Sequence, residues 1–209
     1  VFFGGDFQLW KLHTLSDYMD VSISIIFLIV CARIGLYISK KRRTAEQAKK
    51  RTAKMLKKVC KKDGLLLPLP LELPNYANDY MLLLWRGTIY ILRIFHWGTR
   101  LIGKATEKQW KLVHASEVRT IVNPLIEMEK DLSWIRQQLS GSPLQYLEVA
   151  PLIILADNFS PPILSIDNEA KPYVITYYQL KRWLKSRPDQ LIGPKCTHKE
   201  IITQVIKIS

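Results

Sequence analysis

The chain has 209 residues, 48% of them hydrophobic, with Lys+Arg 31 against Asp+Glu 18 and a formal net charge of +13. That length and apolar content supply one globular domain with a core, plus an appendage. Its three cysteines, Cys31, Cys60 and Cys196, are odd in number and without paired spacing, which excludes a secreted disulfide scaffold and suits a reducing compartment.

The first segment, "VFFGGDFQLWKLHTLSDYMD", is rich in Phe, Trp and Leu. It reads as an aromatic belt at a membrane interface or as a contact surface within a membrane complex. Between Asp20 and Lys40 stand 19 residues, "VSISIIFLIVCARIGLYIS", with Arg33 their only charge. As a helix this run covers about 28 Å, close to a hydrocarbon core of about 30 Å. Arg33 lies toward the basic end, where its side chain can reach headgroups. The flanks are lopsided. Asp6, Asp17 and Asp20 precede the run against Lys11 alone, whereas residues 40–62 hold 12 Lys or Arg and the single acid Glu46, which is +11 of the chain's +13. The positive-inside bias places the N-terminus outside and residues 40–209 in the cytoplasm. No positive n-region precedes the run and no small-residue cleavage site follows it, so it reads as an uncleaved anchor.

The next segment, "TAEQAKKRTAKMLKKVCKK", puts Ala45, Ala48, Thr52, Met55, Leu56 and Val59 at helical spacing. This predicts an amphipathic helix with one apolar stripe and lysines around it. Lys40, Lys41, Arg42, Arg43, Lys49, Lys50, Arg51, Lys54, Lys57 and Lys58 are the expected contacts to anionic lipid, with nucleic-acid phosphate as the alternative. The expected organisation is an extracytoplasmic segment over 1–20, a transmembrane helix over 21–39, a basic juxtamembrane helix over 40–63 and a cytoplasmic α/β domain over 64–209.

Within that domain the prolines of "DGLLLPLPLELPNYAND" predict an irregular or edge strand. "DYMLLLW" and "TIYILRIF" predict two strands around a hairpin turn at Arg86-Gly87. Asn123-Pro124 opens a helix carrying Leu125, Met128, Leu132, Ile135 and Leu139, and Gly141 closes it. "EVAPLIILAD" predicts a strand buried on both faces, "PPILSID" and "PYVITY" two short strands, and "QLKRWLKS" and "KEIITQVIKI" two short helices. The order fits an α/β sandwich around a mixed sheet flanked by helices.

That order, with certain residues at certain places, resembles the nuclease-related domain (NERD) family of restriction-endonuclease-like folds, over roughly Thr44 to Arg187. A helix with an early Glu comes first, as Glu46 does here. An Asp then opens a strand eight residues before a Gly, as Asp79 precedes Gly87. Gly98 matches the Gly after the family's Glu-x-Lys strand, and "GTRLIG", Trp110, "NPLIE" and the closing "VAPLIILAD…YVIT…LKRWL" follow in family order. The resemblance implies that the Asp and Glu hold a divalent metal while the Lys orients the attacking water. A hard cation needs oxygen ligands, and metal-bound hydroxide is the nucleophile in such chemistry.

Here the family's Glu and Lys fall on Leu92 and Ile94, which offer neither ligand nor proton relay. The expectation is a scaffold without its chemistry, with no metal or cofactor. Glu46, Asp79 and Glu127, with Asp131 one turn beyond Glu127, are the catalytic candidates for the alternative, a migrated carboxylate site using Mg or Mn. Cys196 and His198 lack the second pair that zinc needs. His96 and His114 are lone histidines, and Trp85, Trp97, Trp110 and Trp134 are read as packing ahead of base stacking. The chain contains no phosphate-cradling glycine loop and no nucleophile elbow. The expected function is binding or scaffolding in a membrane-associated complex, with membrane lipid and a protein as partners and nucleic acid second. The rivals are a tethered metal-dependent nuclease and a structural subunit of a membrane complex.

Overall fold

The apolar run forms helix α1 (Leu15–Arg42). Within it Tyr18–Tyr37 is long and apolar enough to cross a membrane, and none of that stretch is buried. A core helix of this composition would bury a face against neighbours, whereas Phe27, Leu28 and Leu36 stay exposed here. The serines suit an apolar surrounding, because Ser22 Oγ donates to the Tyr18 carbonyl at 2.7 Å and Ser24 Oγ to that of Asp20 at 2.8 Å. The computed structural model describes residues 15–42, 44–60, 64–69, 72–74, 79–142, 144–156, 161–188 and 203. It divides into two units, Val1–Lys41 and Arg42–Ser209. The segment before Leu15 and the helix expected over "KEIITQVIKI" (residue 203 excepted) lie outside the described residues.

The second unit begins with α2 (Ala45–Cys60) and β1 (Gly64–Leu67). β2 (Tyr80–Trp85) and β3 (Thr88–Phe95) follow as the expected hairpin. Arg86 and Gly87 both take positive φ, 51° and 81°, the backbone that a two-residue turn needs to match the twist of its strands. β4 (Arg100–Gly103), β5 (Gln109–His114) and β6 (Glu117–Val122) lead into α3 (Pro124–Leu139). The chain continues through β7 (Glu148–Leu155), β8 (Ile163–Ile166), a 3-10 turn, β9 (Val174–Thr176) and α4 (Tyr177–Ser186).

Two sheets result where one was expected. The first has the order β1-β2-β3-β7-β9 and the second β6-β5-β4-β8. β1, β2 and β3 are antiparallel, and β7 then pairs parallel to β3 with Leu92 opposite Leu152. The parallel step requires a crossover, which α3 provides. One face of the first sheet packs Met81, Leu83, Leu92, Ile94 and Ile154 against α2 and α4. The other packs Leu82, Ile89, Ile91 and Ile153 against Met128 and Leu132 of α3 and Leu101 and Trp110 of the second sheet. The sequence missed the β5–β6 hairpin because β6 buries no residue fully, so the alternation that marks a half-buried strand is absent.

Of the basic amphipathic helix expected over 40–63, residues 45–60 form α2. Ala48, Thr52, Leu56 and Cys60 of α2 are buried and share a core with β2, β3 and α4. The apolar stripe is therefore occupied by the sheet, and α2 is the first element of the α/β unit.

Two polar residues set how α3 and the second sheet meet. Asn123 is fully buried; its Oδ1 accepts from Leu125 N at 2.9 Å, capping α3, while Nδ2 donates to the carbonyls of Ala105 at 2.8 Å and Glu107 at 2.7 Å. Asp167, in the link from β8 to β9, accepts from Ala105 N and from Ala170 N, both at 3.0 Å. Beneath this loop Trp110 is fully buried and its Nε1 donates to the Lys104 carbonyl at 2.8 Å. A Cβ on Gly103 would lie 2.3 Å from Cδ1 of that indole, a separation that real atoms do not adopt. Gly103→Ala should therefore displace Trp110 and destabilise the unit by about 1–3 kcal/mol, read as a lowered midpoint of thermal or denaturant unfolding.

Candidate functional site

The candidate site is set by the alternation of β3. Successive side chains of a strand point to opposite faces, so Tyr90, Leu92 and Ile94 enter the core beneath α2 and α4. Arg93 points the other way, toward α3. Leu92 is 0% exposed and Ile94 1%; Leu92 is flanked by Met81 on β2 and Leu152 on β7, and Ile94 by Ile154. The two positions where the resemblance expects a carboxylate and a lysine thus lie among aliphatic side chains. Ionised groups there would lose their hydration without a partner.

The acids gather on the opposite face. Arg93 Nε lies 3.4 Å from Asp79 Oδ2, and its Nη1 pairs with Glu127 Oε2. The side chains of Arg93, Asp79 and Glu127 are 15%, 24% and 29% exposed. The guanidinium also sits over the rings of Tyr80, at 5.6 Å, and Phe95, at 5.2 Å. Asp79 is held at the mouth of β2 by its own backbone, whose carbonyl accepts from Ile94 N at 3.0 Å. Glu127 stands in the first turn of α3, where the Asn123 cap fixes the helix start and the helix dipole favours an acid. Asp131, one turn on, is fully buried.

The electrostatics follow from this packing. Burial pulls the Arg93 guanidinium down, but the hydrogen bond it donates to Glu127 and its electrostatic interactions with Tyr80, Glu127 and Asp79 outweigh this and hold Arg93 above its ordinary value. Burial pushes the Tyr80 phenol well up; Arg93 opposes this, while Asp131, Glu127 and Asp79 add to it. The Tyr80 hydroxyl is buried and finds no hydrogen-bond partner among the described residues.

Of the three catalytic candidates, the structure joins Asp79 and Glu127 through Arg93 and leaves Glu46 apart. Glu46 is 72% exposed on α2 and pairs with Lys50 at 2.6 Å, and that hydrogen bond and charge lower its pKa. Among the described residues no group of three or more His, Cys, Asp or Glu is arranged to hold a metal ion. Three clefts, of about 150, 510 and 310 Å³, lie elsewhere on the unit, and Asp79, Arg93 and Glu127 line none of the three.

The basic residues divide. Lys50, Lys54, Lys57 and Lys58 are exposed on α2 and Lys49 is half-buried. Arg51 is turned inward, donating to the Ala156 carbonyl at 2.9 Å and lying 5.5 Å from the Tyr177 ring centre, so it serves as an internal strut. Lys40, Lys41 and Arg42 fall on the end of α1, while Arg43, Cys196 and His198 lie outside the described residues. The tryptophans pack: Trp85 Nε1 donates to the Leu184 carbonyl at 3.0 Å, Trp134 lies against the core, and Trp97 sits between His114 and Arg119. Arg93 and Tyr80 are the functional positions the sequence reading missed. A single arginine within the apolar run "TIYILRIF", facing two acid-bearing segments, was the available signal.

No family model, curated protein or solved structure matches the chain.

Arg93→Met should destabilise the unit by about 2–3 kcal/mol, because it removes the cation that compensates the part-buried Asp79 and Glu127. The variant Arg93→Met with Asp79→Asn and Glu127→Gln should recover most of that loss in denaturant melts. Tyr80 has a pH signature of its own. Its folded pKa is raised above the unfolded value of about 10, so the stability held by the neutral phenol is complete below that pH and is lost as pH climbs toward the folded value. Tyr80→Phe should flatten the fall in melting temperature between about pH 9 and pH 11. It should leave stability near pH 7 unchanged or slightly higher, since it deletes an unpaired buried hydroxyl.

Proposed function

We propose that this chain is a membrane-anchored protein whose α/β unit is a nuclease-related domain of restriction-endonuclease-like fold that has lost its chemistry, acting by binding as a scaffold in a membrane-associated complex. The observation that carries the reading is the sealing of Leu92 and Ile94 between α2, α4 and the neighbouring strands. The helix, antiparallel meander, crossover helix and parallel strand formed by α2, β1–β3, α3 and β7 are the frame that the resemblance implies, and they support it. Asp79, which matches the Asp that the resemblance assigns to a metal, and Glu127, the candidate of the migrated site, are both engaged by Arg93. A fixed guanidinium between two carboxylates compensates their charge and repels a divalent cation.

The anchor is α1, and the charge step after it, +11 over residues 40–62, supports an N-terminus outside and an α/β unit in the cytoplasm. Partners in this reading are membrane lipid and a protein of the same complex, with nucleic acid second, and no cofactor is required.

The purified chain should cleave neither DNA nor RNA in magnesium or manganese. Restoring Leu92→Glu and Ile94→Lys together should not create activity, because placing two ionisable groups in that packed face costs several kcal/mol. Metal-dependent cleavage that disappears in Asp79→Ala would overturn the proposal and assign the carboxylates of Asp79 and Glu127 to catalysis.

A further inference from the structure

The cations of α2 do not stand alone. α2 and α4 cover the same face of the first sheet, sharing one core through Leu56, Cys60, Leu180 and Leu184, and the Arg51–Tyr177 contact joins them. Their inward residues fix their outward ones. Ala48, Thr52, Leu56 and Cys60 face the sheet on α2, so Lys50, Lys54, Lys57 and Lys58 face away. Leu180 and Leu184 do the same on α4 and turn Lys181, Arg182 and Lys185 outward. The two helices together contain one acid, Glu46, already held by Lys50.

Residues 64–176, by contrast, hold 10 Lys or Arg against 11 Asp or Glu. On α3 the exposed Arg136 is balanced by Glu129 at 3.3 Å, and on β6 Arg119 by Glu117 at 3.6 Å. Among the described residues of the α/β unit the positive excess therefore lies on the two helices α2 and α4, and Tyr178 stands among their cations, 51% exposed.

We infer that this α2–α4 face is a docking surface for an anionic bilayer, on which the α/β unit lies with α4 as well as α2 against the headgroups. The inference rests on the anchor reading of α1. Two features select lipid over other polyanions. Ala45 begins α2 only three residues after Arg42 ends α1, so the chain tethers the α/β unit to any membrane that α1 crosses. An exposed tyrosine among lysines also suits the interface between headgroups and water. Each cation near an anionic surface favours docking by about fivefold, and the pull fades over a Debye length of about 8–10 Å. The three cations of α4 then shift the ratio of docked to free unit by about a hundredfold.

The full chain in nanodiscs tests this, with and without phosphatidylserine in phosphatidylcholine. A water-soluble amine reagent labels exposed lysines, and mass spectrometry reads the rate at each. Lys181, Lys185, Lys54 and Lys57 should be protected in the anionic discs alone, while Lys111 and Lys130 label equally in both. The variant Lys181→Gln, Arg182→Gln, Lys185→Gln should lose the protection of Lys54 and Lys57, as should raised salt. Continued full protection of α2 in that variant would show that α4 plays no part and overturn the two-helix face. Equal labelling of Lys181 and Lys185 in both disc types, with the chain still retained in discs after alkaline carbonate, overturns the docking but leaves the anchor standing. Release by carbonate overturns the anchor and the docking with it. Restoration of labelling by an excess of oligonucleotide at physiological ionic strength makes the face a nucleic-acid surface and also overturns the proposal.

Discussion

The constraint on which the α/β unit depends is the burial of β3 on both faces. It has β2 on one side and β7 on the other, with α2 and α4 below and α3 and the second sheet above. A strand so enclosed must be apolar at nearly every position, as parallel, helix-covered strands generally are. Paired with Pro151, Leu152 and Ile154 of β7, Ile91, Leu92 and Ile94 are 0%, 0% and 1% exposed. Arg93 is tolerated because it lies near the end of the strand and meets two carboxylates and two aromatic rings there. The same enclosure that stabilises the sheet removes the environment in which a carboxylate and a lysine could do metal chemistry.

Much of this was legible in the sequence, for physical reasons that differ between elements. The β2–β3 hairpin announced itself through Gly87 between two apolar runs, since glycine takes a positive φ without the Cβ clash of other residues. α3 was legible from Asn123-Pro124, where a side-chain cap and a preset φ coincide. β7 was legible as an unbroken apolar run too short for a span. The second sheet was not. β8 and β9 are both short and similar in pattern, and nothing local says that they join different sheets; Asp167, bonding across to Ala105, makes that separation and is visible only in three dimensions. The site was legible by half. Leu92 and Ile94 were placed on one strand face, and Asp79 was set beside Glu127, but with Glu46, which pairs with Lys50 instead; that Arg93 stands between the two acids emerges only when α3 crosses over the sheet.

α2 illustrates how one periodic pattern can satisfy two surroundings. Its apolar stripe and the lysines around it suggested an amphipathic helix held against anionic lipid by its charges, with no place assigned to the stripe. In the fold the stripe is taken by the sheet, and only the charged side remains for a polyanion. The distinction changes the kind of contact: electrostatic and reversible by salt, with no insertion of apolar groups. It also explains why Arg51, in the middle of the basic run, is unlike its neighbours. Its position on the helix points it inward, where a planar guanidinium can bridge a carbonyl and an aromatic ring in a way an ammonium cannot.

Arg93 has a consequence for how the unit responds to its chemical surroundings. Where carboxylates are balanced by a bound ion, their state follows the supply of that ion and can be emptied by a chelator or altered by exchange for another metal. A guanidinium is covalently part of the chain and stays protonated at any physiological pH. The charge balance of Asp79 and Glu127 is thus fixed when the polypeptide is made. That balance needs no supply of divalent ions and offers a chelator nothing to remove.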